Sequence, residues 1–298
     1  MLYSISHRTT YAYDATVSLS MHRLHLRPRE LPRQELVEFS LEIDPAPTAE
    51  VPEMDYYGNP AGFLAIEGAH RGLTVIARGK IRLKAPAWPD ANATPQWETV
   101  RECCAVDVLT QDSQAGEFLF DSPHVVRSQA FTEYAAPSFP QGAPILASVL
   151  DLTSRIYRNF KFDRRATNIA TPIAEVLKNR RGVCQDFAHL AICCLRSLGL
   201  PARYVSGYIE TIPPPGGVRL VGADASHAWF SFWCPGSGWI DADPTNNVLV
   251  ADRHITVAWG RDFSDVSPVQ GVVVGGGSHS LRVGIDVAPI EETTPLPG

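Results

Sequence analysis

Residues 180–200, RRGVCQDFAHLAICCLRSLGL, decide the fold. They place a glycine at 182, a cysteine at 184, and then a run whose apolar positions recur at helical spacing. On a wheel of about 100° per residue, Phe187, Leu190, Ala191, Cys194, Leu195 and Leu198 form one stripe, and Gly199 and Pro201 stop the helix. Cys184 falls at the edge of that stripe, in the first turn. A helix start gathers unpaired N–H groups and the positive end of the helix dipole, and both favour a thiolate. A free thiol of pKa about 8.5 is only ~3% ionised at pH 7, so a nucleophilic cysteine also needs a cationic neighbour, normally histidine. The plain alternative is a small apolar residue packed in a core.

The same wheel weighs against a metal centre. Cys184, Asp186 and His189 resemble a ligand cluster, yet they point about 0°, 200° and 140° around the helix, too divergent for one ion. Asp186 and His189 are therefore expected on its outward face. There is no C-x-x-C pair in the chain, so neither zinc nor any other cofactor is expected.

Working outward, 145–160 (ILASVLDLTSRIYRNF) has helical spacing, and Thr171 with Pro172 marks a helix start whose helix ends near Asn179, with Gly182 as the breaker. After residue 200 the pattern turns to strands at 202–211, 226–234, 238–242, 255–259 and 281–287, with the loop Pro213–Gly217 between two of them. Helices first and strands second read as α+β, not as an alternating parallel sheet. Residues 1–85 alternate in strands at 4–13, 36–43 and 73–83 and form an antiparallel β domain. The proline-rich stretch 85–95 marks its end. The expected division is 1–85 as the β domain, 86–140 as a linker or helical connection, 141–288 as the functional unit with a C-terminal strand, and 289–298 as a loose tail.

Composition bounds the function. A chain of 298 residues, 45% hydrophobic and 19% charged, is long enough for two folded units, and its net charge of -6 without a basic run leaves no stripe for nucleic acid. No stretch approaches the roughly 18 apolar residues of a membrane span, no secretory leader is recognisable, and six sparse cysteines do not make a disulfide scaffold. The expected address is the cytoplasm, with no membrane partner.

A nucleophilic cysteine needs a base and a group to orient that base. In 224–234 (DASHAWFSFWC), alternation puts His227, Trp229, Ser231 and Trp233 on one strand face. In 238–247 (GWIDADPTNN), Asp241 and Asp243 are two apart and share a face, so alternation does not choose between them. Each residue alone has a structural explanation. Their order raises the odds of chemistry: histidine 43 positions after the cysteine, then aspartate 16 positions after that, each on its own element.

GVCQDFAHL (182–190), LGLPARYVSGY (198–208), SHAWFSFWCPGSGWIDADPTN (226–246) and GRDFSDVSPVQG (260–271) resemble the bacterial transglutaminase-like proteins, a branch of the papain-like cysteine enzymes. TTYAYD, LHLRPR and the DYYGN turn are similar to the β domain that precedes the catalytic domain in that branch. The resemblance implies a papain-like core in which Cys184 is the nucleophile, His227 the base and acid, and Asp243 the orienting residue. The backbone N–H of Cys184 would serve as an oxyanion donor, with the adjacent Gln185 as a candidate second donor.

Three functions follow. The first is a peptidase or amidase acting on a peptide or protein substrate; the second is a transglutaminase that passes the acyl group to an amine; the third is a non-catalytic interaction module with an idle site. Trp229, Trp233, Trp239 and the Pro213–Gly217 loop are candidates for walls of a substrate groove, with core aromatics and a plain surface loop as the simpler alternative. Oligomeric state is open.

Overall fold

The computed structural model describes residues 1–107, 115–210 and 226–290. Along the chain run β1 (Leu2–Leu24), β2 (Gln34–Asp44), β3 (Ala49–Met54), β4 (Pro60–Leu83), α1 (Trp97–Asp107), α2 (Gln129–Ala135), α3 (Ile145–Asn159) and β5 (Lys161–Phe162). Then follow α4 (Ile173–Asn179), β6 (Arg181–Gly182), α5 (Cys184–Ser197), β7 (Ala202–Ile209), β8 (Ser226–Cys234), β9 (Gly238–Asp243), β10 (Val248–Leu249), β11 (His254–Gly260), β12 (Val269–Gly275) and β13 (His279–Ile290). The architecture is α+β with antiparallel sheets, apart from the short parallel pair β5–β6.

The first sheet has a spine of two long strands, β1 and β4, with shorter strands in pairs along its edges. β13 and β12 share the outer edge of β1, while β2 and β3 share that of β4. Alternation along β1 buries Tyr3, Ile5, His7 and Thr9 in turn, the pattern of a sheet with one covered face. Here the structure corrects the sequence: the C-terminal strand does not belong to the cysteine-bearing unit but pairs with β1, from Leu2 opposite Ile290 to Tyr13 opposite His279. Residues 289 and 290 are part of that strand, not of a tail. The remainder of the expected tail, 291–298, and the Pro213–Gly217 loop lie outside the described residues.

The second sheet runs β10-β9-β8-β7-β11, and α5 lies across one of its faces. Every residue of α5 from Asp186 to Arg196 is buried, because α2, α3 and α4 pack on its other sides. The 86–140 segment is thus more than a linker: Trp97 and Val100 of α1 and Phe131 and Ala135 of α2 belong to the core around α5. Tyr3, Ile5, Ile81, Leu83, Ile285 and Val287 of the first sheet join the same core, so the two sheets share one apolar interior.

The opposite face of the second sheet carries Val205, Trp229 and Val250. Trp229 fits because residue 207 is glycine: a Cβ there would stand 2.5 Å from the indole and 2.1 Å from the Ile255 carbonyl oxygen. The β domain closes over this side. Gln34 imitates a strand at the free edge of β11, donating from Nε2 to the Thr256 carbonyl (2.7 Å) and accepting the Thr256 N–H at Oε1 (2.8 Å). Asn59, fully buried, does the same for Trp259, donating to its carbonyl (2.8 Å) and accepting its N–H (2.9 Å).

Candidate active site

The approach to Cys184 is built residue by residue. Arg180, not Gly182, ends α4: it adopts the left-handed conformation (φ 56°), its N–H bonds the Val176 carbonyl (2.9 Å), and its guanidinium lies over Tyr134 and Phe160. Gly182 sits in β6 for a different reason. A Cβ at that position would stand 2.6 Å from Asp186 Oδ2, which folds back to accept the Val183 N–H (2.8 Å) and the Thr167 hydroxyl (2.6 Å).

Asp186 is therefore buried at the helix start and not on its outward face, as the wheel has it; a carboxylate in the third helical position caps the N–H just before the helix. His189 is also buried. Its Nε2 accepts the Phe263 N–H (3.1 Å), its ring stacks on His124 (centroids 5.4 Å), and burial pulls its pKa down to about 3, so it is a neutral structural group. Asp186→Ala is expected to cost about 2 kcal/mol, combining a lost cap with two half-buried donors left without their acceptor. Urea unfolding checks this by a lower midpoint at unchanged m-value.

Capping of Val183 leaves the amides of Cys184 and Gln185 at the first two helical positions with no intrahelical carbonyl in reach and no acceptor among the described residues. Cys184 is half-buried, and its Sγ lies 4.0 Å from the Ser226 carbonyl oxygen, at the start of β8. That strand delivers His227, whose ring is within hydrogen-bonding reach of the thiol. On its other side, His227 Nε2 lies 2.7 Å from Asp243 Oδ2, which leaves Nδ1 as the nitrogen available to Cys184.

Strand register separates the two aspartates. Ser231 stands opposite Asp241, so Asp243, two residues on, sits on the same face nearer His227. Asp241 instead accepts the Ser231 hydroxyl and pairs with Arg33 of the β domain (3.2 Å). Asp243 is fully buried and heavily bonded: Oδ1 accepts the amides of Thr245 (2.9 Å) and Asn246 (3.3 Å), and Oδ2 also takes Asn246 Nδ2 (2.6 Å) and His254 Nε2 (3.1 Å).

Asn246 and His254 were not among the residues expected at the site. His254 opens a buried strand with no motif around it, and Asn246 looks like an ordinary turn residue after Pro244.

The electrostatics follow from this crowd. Burial disfavours the charged imidazole of His227, but the negative charge and hydrogen bond of Asp243, joined by Cys184, outweigh it and push the histidine up to about 10. Burial likewise opposes the Asp243 carboxylate, but the charge of His227 and the hydrogen bonds from His227 and His254 win, holding it well below the usual range. His254 goes the other way: burial dominates and lowers it, so it is a neutral ring donating Nε2–H to Asp243, with Nδ1 buried and unpartnered. His227, Asp243 and His254 bring three ligand-type atoms within 4.8 Å of one another. Those atoms already bond each other through Oδ2, so an ion there would have to replace both hydrogen bonds.

Cys184 and His227 meet in a cavity of about 300 Å³ whose walls include Gln185, Tyr204, Phe162, Arg164 and Phe263. The tryptophans are elsewhere: Trp229 is core, while Trp233 and Trp239 pack on each other (centroids 5.6 Å) away from this cavity. Among the described residues, no helix is long and apolar enough to cross a membrane.

Residues 3–82 match the bacterial transglutaminase-like N-terminal region and residues 135–244 the transglutaminase-like superfamily. An uncharacterised protein of Mycobacterium tuberculosis is 41% identical over 297 residues, covering 97% of this chain and 93% of its own. A protein-glutamine gamma-glutamyltransferase of Pseudomonas aeruginosa is 40% identical over 70 residues, which are 23% of this chain and 10% of that one. In three dimensions the chain resembles a structure from Cytophaga hutchinsonii described as a candidate cysteine protease, with a TM-score of 0.74, 22% identity, and coverage of 99% of this chain and 92% of that one. With both regions in place and a relative matched almost end to end, the chain belongs to the bacterial transglutaminase-like family of cysteine-dependent enzymes.

Proposed function

We propose that the protein is a cysteine hydrolase that opens amide bonds in peptide or protein substrates through an acyl-enzyme. The observation that carries this reading is His227, held between the Cys184 thiol and the buried Asp243 carboxylate at a solvent-accessible cavity. Cys184 Sγ adds to the amide carbonyl carbon while the N–H groups at the start of α5 receive the oxyanion. His227 gives its proton to the departing nitrogen, the C–N bond breaks, and a thioester remains on Cys184. Water then gives a proton to His227, adds to the thioester carbonyl, and releases the acid and the thiolate. Asp243 keeps the ring oriented and its positive charge stabilised throughout.

A second reading is amine transfer, supported by the local identity to the Pseudomonas aeruginosa transferase. The two differ only in what attacks the thioester. Incubation of glutamine-containing peptides with and without a primary amine, followed by mass spectrometry and an ammonia assay, distinguishes them. Hydrolysis predicts ammonia release or chain cleavage at a rate independent of the amine. A mass gain matching the amine, suppressing the hydrolytic product, would replace hydrolysis by transfer, and no reaction from any peptide would point to the idle module.

A further inference from the structure

Arg203 and Tyr204 are neighbours in β7 and face opposite sides of the sheet. Tyr204 lines the cavity of Cys184; Arg203 lines a second cavity, of about 510 Å³, on the other face, where the β domain meets the core. Arg203 is 7% exposed, and its guanidinium has no hydrogen-bond acceptor among the described residues. It is held by stacking, 4.3 Å from the Trp239 ring centre and 3.8 Å from that of Trp259, with Asp241 as a nearby charge.

Arg29 stacks on the same indole, 3.4 Å from its centre. It spends Nη1 on Asn59 and the Tyr57 carbonyl, while its Nε is buried without a partner. Two guanidiniums against one indole repel each other, and a buried donor left unpaired is destabilising, more so when it is charged.

The acids nearby are already engaged. Glu117 bonds Tyr56, Asp55 bonds His25 and Asn59, and Asp265 bonds Arg261 and Tyr57. Burial and Arg29 pull Arg203 down to about 9 in spite of Asp241, so it is still a cation at pH 7. The donors of Arg203 are left facing a cavity walled by Tyr57, Phe118 and Trp239.

We propose that this second cavity binds a small aromatic carboxylate, whose acid group takes the Nη donors of Arg203 beside the charge of Arg29 and whose ring stacks among Tyr57, Phe118 and Trp239. A flat apolar body matches the walls, and a carboxylate matches the planar fork of a guanidinium. The site is separate from Cys184 and needs none of its chemistry.

Calorimetric titration of the full chain with indole-3-carboxylate, its neutral amide indole-3-carboxamide, and sodium sulfate tests this. The acid should bind at least about tenfold more tightly than the amide, and more tightly than sulfate. Arg203→Met should remove the preference for the acid, Arg29→Lys should reduce it, and Cys184→Ala should leave it unchanged. If Arg203→Met does not fold, Arg29→Lys carries the comparison. Equal affinity for acid and amide, sulfate binding as tight as the acid, no binding at millimolar probe, indifference to both arginine changes, or loss in Cys184→Ala would each overturn the proposal.

Discussion

Cys184→Ala is expected to lower turnover by at least about 10⁴-fold while leaving the melting temperature within a few degrees of the parent, because the thiol carries the covalent step and is only half-buried. The companion measurement is alkylation by iodoacetamide at neutral pH with peptide mapping. Cys104, Cys193, Cys194 and Cys234 are buried, and burial pushes Cys193 up to about 12, so none of these four should label in the folded protein. The informative contrast is between Cys184 and the exposed Cys103. Exposure alone favours Cys103; activation by His227 favours Cys184. His227→Ala should therefore slow labelling of Cys184 and leave Cys103 unaffected. Equal rates at both cysteines in the parent, unchanged by His227→Ala, would remove the nucleophile assignment.

Asp243→Asn is expected to lower kcat by about 10²–10⁴-fold, the usual range for disabling an acid–base group, and to move the alkaline limb of the kcat/KM profile. In the parent that limb is expected toward pH 10, because Asp243 holds the His227 proton; without the carboxylate it should fall back toward the ordinary imidazole range near 6.5. The stability side has a fixed sign. The raised histidine contributes stability fully below about pH 6.5 and loses it as pH rises toward 10, whereas the depressed Asp243 contributes above about pH 4 and loses it in acid. The pair therefore stabilises most between about pH 4 and 6.5. Asp241→Asn is the control: it unsettles Arg33 and Ser231 and should cost about 1–3 kcal/mol of stability with no displaced pH limb. A displaced limb in Asp241→Asn, with none in Asp243→Asn, would exchange the roles of the two aspartates.

Legibility in the sequence followed the range of the interaction. The α+β order and the helix that starts at Cys184 come from spacings within a few residues, and those are visible in one chain. Asp241 and Asp243 were indistinguishable because a period of two places both on one face; the register of Ser231 and the reach of Arg33 from another sheet separate them. The wheel misplaced Asp186 and His189 because it assumes one docking face, and α5 is enclosed on every side. His254 leaves no local trace, since what marks it is a hydrogen bond to a carboxylate on another strand. Of the strands 269–275 and 279–290 only 281–287 was visible as a strand, and the partner of both is β1, at the far end of the sequence.

That pairing sets an order of assembly. During synthesis, at roughly 5–20 residues per second, β1 emerges before its edge partners, and its outer edge from Leu2 to Tyr13 stays unpaired until β13 leaves the ribosome, after β12 has become available to the Val17–Leu24 part. Ile285 and Val287 of that late strand also complete the interior shared with α5, so the segment bearing Cys184 reaches its final packing only after β13 has been made. Between the emergence of residue 184 and that of β13, the growing chain thus carries Cys184 beside an interior that still lacks Ile285 and Val287, and the strand that completes that interior is the one that pairs with the start of β1.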